Sequence, residues 1–355
     1  MPARSPASSP PSLHAVATKV GARLRRLFDA EVARWREVDP ELTEPLLSLQ
    51  RLVEVGGKRL RPAFCYWAFV GAGGDPDDPR IIDAGAAFEM LHAFALVHDD
   101  VMDGSDTRRG ERTAHVDFAE RHRRELWLGE DRRFGEGVAI LIGDLSHVYA
   151  DQLLGDVPPD AAALWHELRL ELNVGQYLDL LGTARADHNR STAHRIARYK
   201  SGKYTIERPL HVGAALAGGG AGLRAALSAY GDPLGEAFQL RDDVLGAFGD
   251  PAVTGKPVGQ DLREGKPTPL LASAFERAVD GQADMLDRVG AADLTDDDVA
   301  VIQRVLVDTG ALDEIETLIE RLTSQAVGAL AAAPIGSDAA RELVDLAYFV
   351  ASREA

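Results

Sequence analysis

Cysteine is almost missing from this chain of 355 residues. Cys65 stands alone, which excludes an intramolecular disulfide framework and a cysteine-rich zinc site. A surplus of positive charge is missing as well, since the formal net charge is −17. Sequence-independent nucleic-acid binders neutralise phosphates with Lys and Arg, so that class is disfavoured, as is a bare binder of anionic lipid. No uninterrupted apolar run approaches the roughly 20 residues that span a bilayer, so a membrane-spanning protein is not expected. The opening segment MPARSPASSPPS lacks the apolar core of a secretory signal. It reads as a disordered Pro/Ser-rich tail over residues 1–14, ahead of a single domain over residues 15–355, with the cytoplasm as the expected setting. Alternating β-branched patterning is nearly absent, and no GxxxxGK[ST] segment offers a nucleotide P-loop.

Lysine is scarce in a more telling way. Of 39 basic residues only six are lysine: Lys19, Lys58, Lys200, Lys203, Lys256 and Lys266. The two cations are not interchangeable at a tight site, so a chain this biased toward Arg keeps Lys where a compact ammonium matters. Five of the six fall in the glycine-bearing segments GGK, KSGK, GKP and GKP.

What is present is helical periodicity almost throughout. The spacing of apolar residues predicts helices over 17–35, 81–101, 138–154, 161–181, 192–204, 206–217, 223–230, 233–248, 270–279, 296–309, 311–332 and 337–352. The fold class that follows is all-α. The segment 81–101 is apolar nearly all round, as expected of a helix buried in the middle of the molecule. No 20–50-residue repeat is visible, which argues against a solenoid. The longest non-helical piece runs from 249 to 269 and carries Lys256 and Lys266. Long loops of this kind in compact domains are usually functional or disordered.

Two acidic clusters carry the chemistry. In LVHDDVMDGSDTRRG, Asp99 and Asp103 share a helix face, with Asp100 between them and Gly104 directly after. Carboxylates at the end of a buried apolar helix oppose the helix dipole and need a compensating cation. In FQLRDDVLGAFGD, Asp242 and Asp243 again close an apolar helix, with Gln239 one turn earlier on their side. Each motif alone could be an ordinary surface helix end. Bases supply the other half: Arg108 and Arg109 follow the first cluster, Lys256 and Lys266 the second, and GGKRLRP adds Lys58, Arg59 and Arg61. Mg²⁺ takes oxygen ligands and typically combines one or two carboxylates with substrate phosphates, so this set suits a diphosphate.

The segments GGKRLRP, HDDVMDGSDTRRG, KSG, QLRDDVLGAFGD and GKPVGQDLREGKPTPL occur in that order, over about residues 50–270. Together they resemble the trans-isoprenyl diphosphate synthases, or polyprenyl synthetases, and most of all those that make geranylgeranyl diphosphate. The resemblance implies a single all-α bundle of the isoprenoid-synthase type around a central apolar cavity, working as a homodimer. It implies Mg²⁺-dependent head-to-tail condensation of isopentenyl diphosphate with an allylic diphosphate, with three Mg²⁺ per active site. By the same resemblance Asp99, Asp103 and Asp242 are metal ligands, with Asp100 and Asp243 nearby. Arg108, Lys200, Ser201, Gln239, Lys256 and Lys266 hold the allylic substrate, and Lys58, Arg61, His92 and Arg109 hold isopentenyl diphosphate. Read alone, His92 would be a core histidine. Its place two turns before Asp99, on roughly the same stripe, is compatible with the assigned role. Departing diphosphate is the family's plausible base for the final proton.

Two departures stand out. The family often has Asp where this chain has Gly246, so the second cluster lacks its third carboxylate, and Ser201 replaces the usual Thr while keeping the hydroxyl. Product length is set in the family just upstream of the first motif, here Phe94 and Ala95. Ala95 shares the Asp99 face and leaves room for a growing chain. Phe94 is rotated about 140° from Asp99, so its role as a pocket floor, and a product shift on Phe94→Ala, rest on resemblance. Other readings are a farnesyl or longer-chain synthase, a terpene cyclase, an HD-type phosphohydrolase and a non-catalytic regulatory subunit. A cyclase would need an Asn/Asp–Ser/Thr–Glu triad where DDVLG stands, the phosphohydrolase further histidines, and the regulatory subunit a lost motif.

Overall fold

The computed structural model describes residues 9–185, 189–250, 258–279 and 281–353, and for Ser201 the backbone only. Lys256 and the Ser201 side chain, both assigned by resemblance to the allylic substrate, lie outside the described set.

The chain is helical almost from end to end. Helix α1 (Pro11–Val38) starts inside the segment expected to be a disordered tail. Pro at its first position suits a helix start, and Leu13 and Val16 are buried. Residues 11–14 are therefore helical, contrary to that expectation. Helices α2 (Thr43–Glu54) and α3 (Leu60–Gly71) follow, then the central helix α4 (Pro79–Asp103). By length and hydropathy α4 is apolar enough to cross a membrane, contrary to the expectation that no segment is, but most of its apolar stretch is buried inside the protein. A two-stranded hairpin, β1 (Thr107–Arg108) and β2 (Glu111–Arg112), leads into α5 (Ala114–Arg124), α6 (Asp131–Leu154) and α7 (Pro159–Ala184).

Next come α8 (Arg190–Ile196), a π-helical segment (Ala197–Glu207) and α9 (Arg208–Leu216). Two helices expected at 223–230 and 233–248 are one, α10 (Ala221–Phe248), with Pro233 inside it. A proline interrupts a helix when nothing else holds the flanks. Here Gly231 and Gly235, on either side of it, let α10 press backbone to backbone on Glu207 and Gly202 of the π segment. That packing overrides the break. The expected 249–269 loop contains a short helix, α11 (Gln260–Glu264), before α12 (Pro269–Arg277) and α13 (Gln282–Leu286). Helices α14 (Asp296–Asp308), α15 (Ala311–Leu330) and α16 (Ser337–Ser352) complete the fold.

The apolar faces meet in three clusters. One joins α1, α2, α4, α6 and α7 around Phe88 and Trp165. A second joins α3, α9, α10 and α16 around Phe64 and Tyr230. The third joins α10 with α11 to α15 around Leu240 and Ile302. Helices α4 and α10, which carry the two acidic motifs, thus sit inside the molecule with their C-terminal ends available to one cavity.

Candidate active site

A cavity of about 900 Å³ lies between the ends of α4 and α10. Asp99 and Asp242 both line it, so the two acidic motifs face a shared space. Its polar rim includes Lys58, Arg61, His92, Arg108, Arg109 and Lys200, and apolar wall residues include Ala95, Leu96, Leu172 and Ile196.

Helix α4 ends at Gly104, whose left-handed backbone (φ 64°) stops the helix just after Asp103. This leaves the Asp99, Asp100 and Asp103 carboxylates at the unfavourable end of the helix dipole, and cations surround them. Lys200 reaches Asp99 at 3.0 Å and Asp179 of α7 at 2.5 Å. Lys266 lies 3.3 Å from Asp103 and 2.7 Å from Glu264. Gln176 of α7 donates to Asp99 at 2.8 Å. Arg108 donates to Asp100 through Nε at 2.8 Å, and its Nη2 pairs with the same carboxylate at 2.6 Å. Burial pushes the Asp99 carboxyl up, but Lys200, Lys266 and Arg108 outweigh it and hold the group below the usual carboxylate range. Burial, aided by Asp99, wins at Asp103 and raises it. Burial also raises Asp100 despite Arg108. For Lys200 and Lys266 burial works downward, and the surrounding carboxylates overcome it, so both stay charged.

One carboxylate oxygen from each of Asp99, Asp103 and Asp179 falls within 4.8 Å of the others. This oxygen-only set suits a hard divalent ion such as Mg²⁺. The ammonium groups already bridging it mark a place where positive charge is favoured. Asp179 and Gln176 were not singled out from the sequence. The segment GQYLDL held the signal, Gln and Asp three apart on one helix face, but single polar residues on an amphipathic helix carry no mark without the fold.

The second cluster is built differently. Asp242 is partly open to the cavity and pairs with Arg353, which follows α16. Asp243 is buried, accepts from Gln239 Nε2 at 2.7 Å, and leaves its Oδ2 without a partner. Burial raises it well above the carboxylate range. At Gly246 an added Cβ would overlap the carboxylate of Asp261, from α11, and force that side chain to move. The carboxylate missing from the helix is replaced in space by one from another element, which the sequence could not reveal because fifteen residues separate the two positions.

The basic side of the cavity rests on two turns. Arg59 and Arg109 both take left-handed backbone (φ 52° and 55°), uncommon for residues with a side chain. Arg59 is held by an ion pair to buried Glu89 of α4, and Arg109 Nη1 donates to the Gly56 carbonyl at 2.5 Å. Arg61 stacks on Tyr204 at 4.2 Å, donates to Thr205 at 2.9 Å, and keeps a buried Nε without a partner. Burial, and then the charge of Arg353, bring the Lys58 ammonium down to about 8. His92 is half-buried at the cavity, and its buried Nδ1 is unpartnered, so it is not a satisfied core histidine. Burial and four neighbouring arginines hold it neutral.

Lys203, the other lysine of KSGK, faces away and pairs with Glu171 at 2.8 Å. The π segment puts the two lysines three apart on different sides. Phe94 does not line this cavity; its ring meets His98 edge-on (4.7 Å) and lies tilted against His147 (4.9 Å). Its rotation from the Asp99 face is the reason. Ala95 and Leu96 form the wall there.

Carboxylates from two helix ends, facing a crescent of Lys and Arg across an apolar-walled cavity in an all-α protein, define a class of enzyme that grips diphosphates through divalent ions. The chain belongs to the polyprenyl synthetase family, whose pattern residues 42–306 match, and it is a prenyltransferase. It is 33% identical to a geranylfarnesyl diphosphate synthase of Aeropyrum pernix over 304 residues, covering 83% of this chain and 89% of that one. It is also 33% identical to a (2E,6E)-farnesyl diphosphate synthase of Mycobacterium bovis, covering 84% and 80%. The crystal structure of a geranylgeranyl pyrophosphate synthase from Corynebacterium glutamicum, complexed with isoprenyl diphosphate and magnesium, superposes with a TM-score of 0.89 at 37% identity. The match covers 94% of this chain and 97% of that one.

Proposed function

We propose that this protein condenses isopentenyl diphosphate head to tail with an allylic diphosphate and makes geranylgeranyl diphosphate. The observation that carries the reading is the shared cavity: Asp99 and Asp242 line one space with the Lys58 and Arg61 cation cluster. Asp99, Asp103 and Asp242 are the residues that would hold Mg²⁺, with Asp179 beside the first pair. Three ions per site is our reading by family resemblance. The metal, when bound, stabilises the negative charge that develops on the departing diphosphate.

The chain's own residues do the rest. Lys200, Lys266 and Arg108 are placed to donate to the allylic diphosphate, and Gln239 positions Asp243 next to Asp242. Lys58, Arg61 and Arg109 bind the second diphosphate, while neutral His92 adds a hydrogen bond without adding charge. Preorganised donors of this kind stabilise developing charge without reorganising during the reaction. Ala95, Leu96, Leu172 and Ile196 keep water from the allylic cation. The small Ala95 leaves room for a twenty-carbon product, and the likeness to the Corynebacterium enzyme supports that length.

We also place the protein in the cytoplasm as a homodimer. Leu141 and Val148 of α6, and Leu170, Val174 and Tyr177 of α7, are each more than half exposed at helical spacing. An apolar face of that extent on two neighbouring helices suits a second copy of the chain. The test of activity is incubation with Mg²⁺, isopentenyl diphosphate and each allylic primer in turn, with products separated by chromatography. A twenty-carbon diphosphate is expected. Cyclic hydrocarbon, or no product from any primer, would overturn the proposal.

A further inference from the structure

Arg353 lies at the cavity wall, outside every motif that marked the site. Its guanidinium stacks on the Phe238 ring at 3.9 Å and donates from Nη2 to the Phe238 carbonyl at 3.2 Å. The same nitrogen pairs with the Asp242 carboxylate. The side chain is only 3% exposed, yet its Nη1 has no partner. Buried N–H groups nearly always find an acceptor. An orphaned guanidinium nitrogen beside a polar cavity is a donor suited to a ligand. Two further cations stand on the same wall: Lys58, whose ammonium is lowered by burial and by Arg353, and Arg61, whose buried Nε is also unpartnered.

We propose that Arg353 is an exchangeable cation: it yields Asp242 to a divalent ion and turns its guanidinium to isopentenyl diphosphate beside Lys58 and Arg61. This rests on the proposed reading of Asp242 as a metal ligand and of Lys58 and Arg61 as holders of the second substrate. A dication arriving at the half-open Asp242 carboxylate repels the guanidinium of Arg353, whose burial leaves it less screened than an exposed charge. The face of Phe238 keeps the guanidinium at the wall by cation–π attraction as it moves. Exchange at Asp242 couples the two diphosphate subsites, and such coupling acts equally in both directions.

Titration calorimetry on the full chain reads both subsites without turnover. Inorganic pyrophosphate with Mg²⁺ fills the carboxylate side, and isopentenyl diphosphate then probes the other. In the parent protein, saturating Mg²⁺–pyrophosphate tightens isopentenyl diphosphate about tenfold, the size of one charge-assisted hydrogen bond. In R353Q the tightening vanishes while Mg²⁺–pyrophosphate binds as well as before or better, since its competitor at Asp242 is gone. R353K keeps the charge without the fork and restores part of the coupling. If R353Q melts below the assay temperature, R353K decides: partial coupling supports the exchange and parent-level coupling overturns it. Unchanged coupling in R353Q, or a fall in Mg²⁺–pyrophosphate affinity alongside it, also overturns the exchange. A parent chain that binds neither ligand sinks the proposed function itself, a result distinct from intact binding without coupling.

Discussion

The two acidic helix ends read alike, HDDVMD on α4 and RDDVLG on α10, and the fold makes them unequal. At the first, Asp99 and Asp103 are joined by Asp179 within 4.8 Å, with Lys200 and Lys266 charged between them. At the second, Asp242 faces the cavity with Arg353 on it, Asp243 is buried and raised, and Asp261 fills the place beside Gly246. The first end is a convergent multi-carboxylate cradle, and the second presents one open carboxylate braced by others. Motif strings that share the same DDV core can therefore stand for different electrostatic devices, because neighbouring elements supply what the string omits.

The sharpest way to break this comparison is to neutralise one acid in each. D99N is expected to cost about 10³-fold or more in turnover, and D242N about 10²-fold, since electrostatic groups at developing charge are usually the largest catalytic contribution. Steady-state rates at saturating Mg²⁺ check it, and equal losses would contradict the asymmetry. Next in size is a change of product rather than rate. A95F, in the cavity wall on the α4 side, is expected to shorten the main product by at least one five-carbon unit, seen by chromatography. F94A is expected to leave the product distribution closer to the parent, because that ring packs against His98 and His147 instead.

On the α10 side, G246A and G246D are both expected to raise the Mg²⁺ concentration for half-maximal activity, by about tenfold, the loss of one charge-assisted contact. Restoring the family's Asp does not help, because any Cβ there displaces the Asp261 carboxylate. Thermal melting should move little, since a carboxylate can rotate aside without disturbing the core. A gain in Mg²⁺ affinity for G246D would show that Asp261 is not the replacement.

The smallest effect concerns pH. With Lys58 at about 8, the free enzyme holds this proton at pH 7 and has largely lost it by pH 9. KM for isopentenyl diphosphate is therefore expected to rise several-fold between those values, and K58R flattens the rise. The sign for stability is opposite. Between about 8 and the ordinary 10.5 the unfolded chain holds the proton and the folded chain does not, so this group makes folding more favourable as pH climbs through that window.

Much of the site was legible because its residues repeat short patterns with a physical cause. Asp99, Asp103, Lys58, Arg61 and Arg108 could be read from helix-end acids and glycine-flanked bases, and the long apolar run of α4 announced a central helix. The rest was not readable locally. Pro233 predicted a break that packing against the π segment overrides. Gln176 and Asp179 looked like ordinary polar positions of α7.

From its sequence alone this protein was destined to be all-α, to place carboxylates at the ends of two buried helices, and to keep its few lysines near glycine turns. Those features follow from apolar periodicity and from the cost of unpaired charge, which act within a few residues. Only the tertiary structure decided which acids share a space, which lysine of KSGK points inward, and that Asp261 and Arg353 complete the second cluster. Those outcomes depend on distances between residues far apart in the chain, which local physics does not specify.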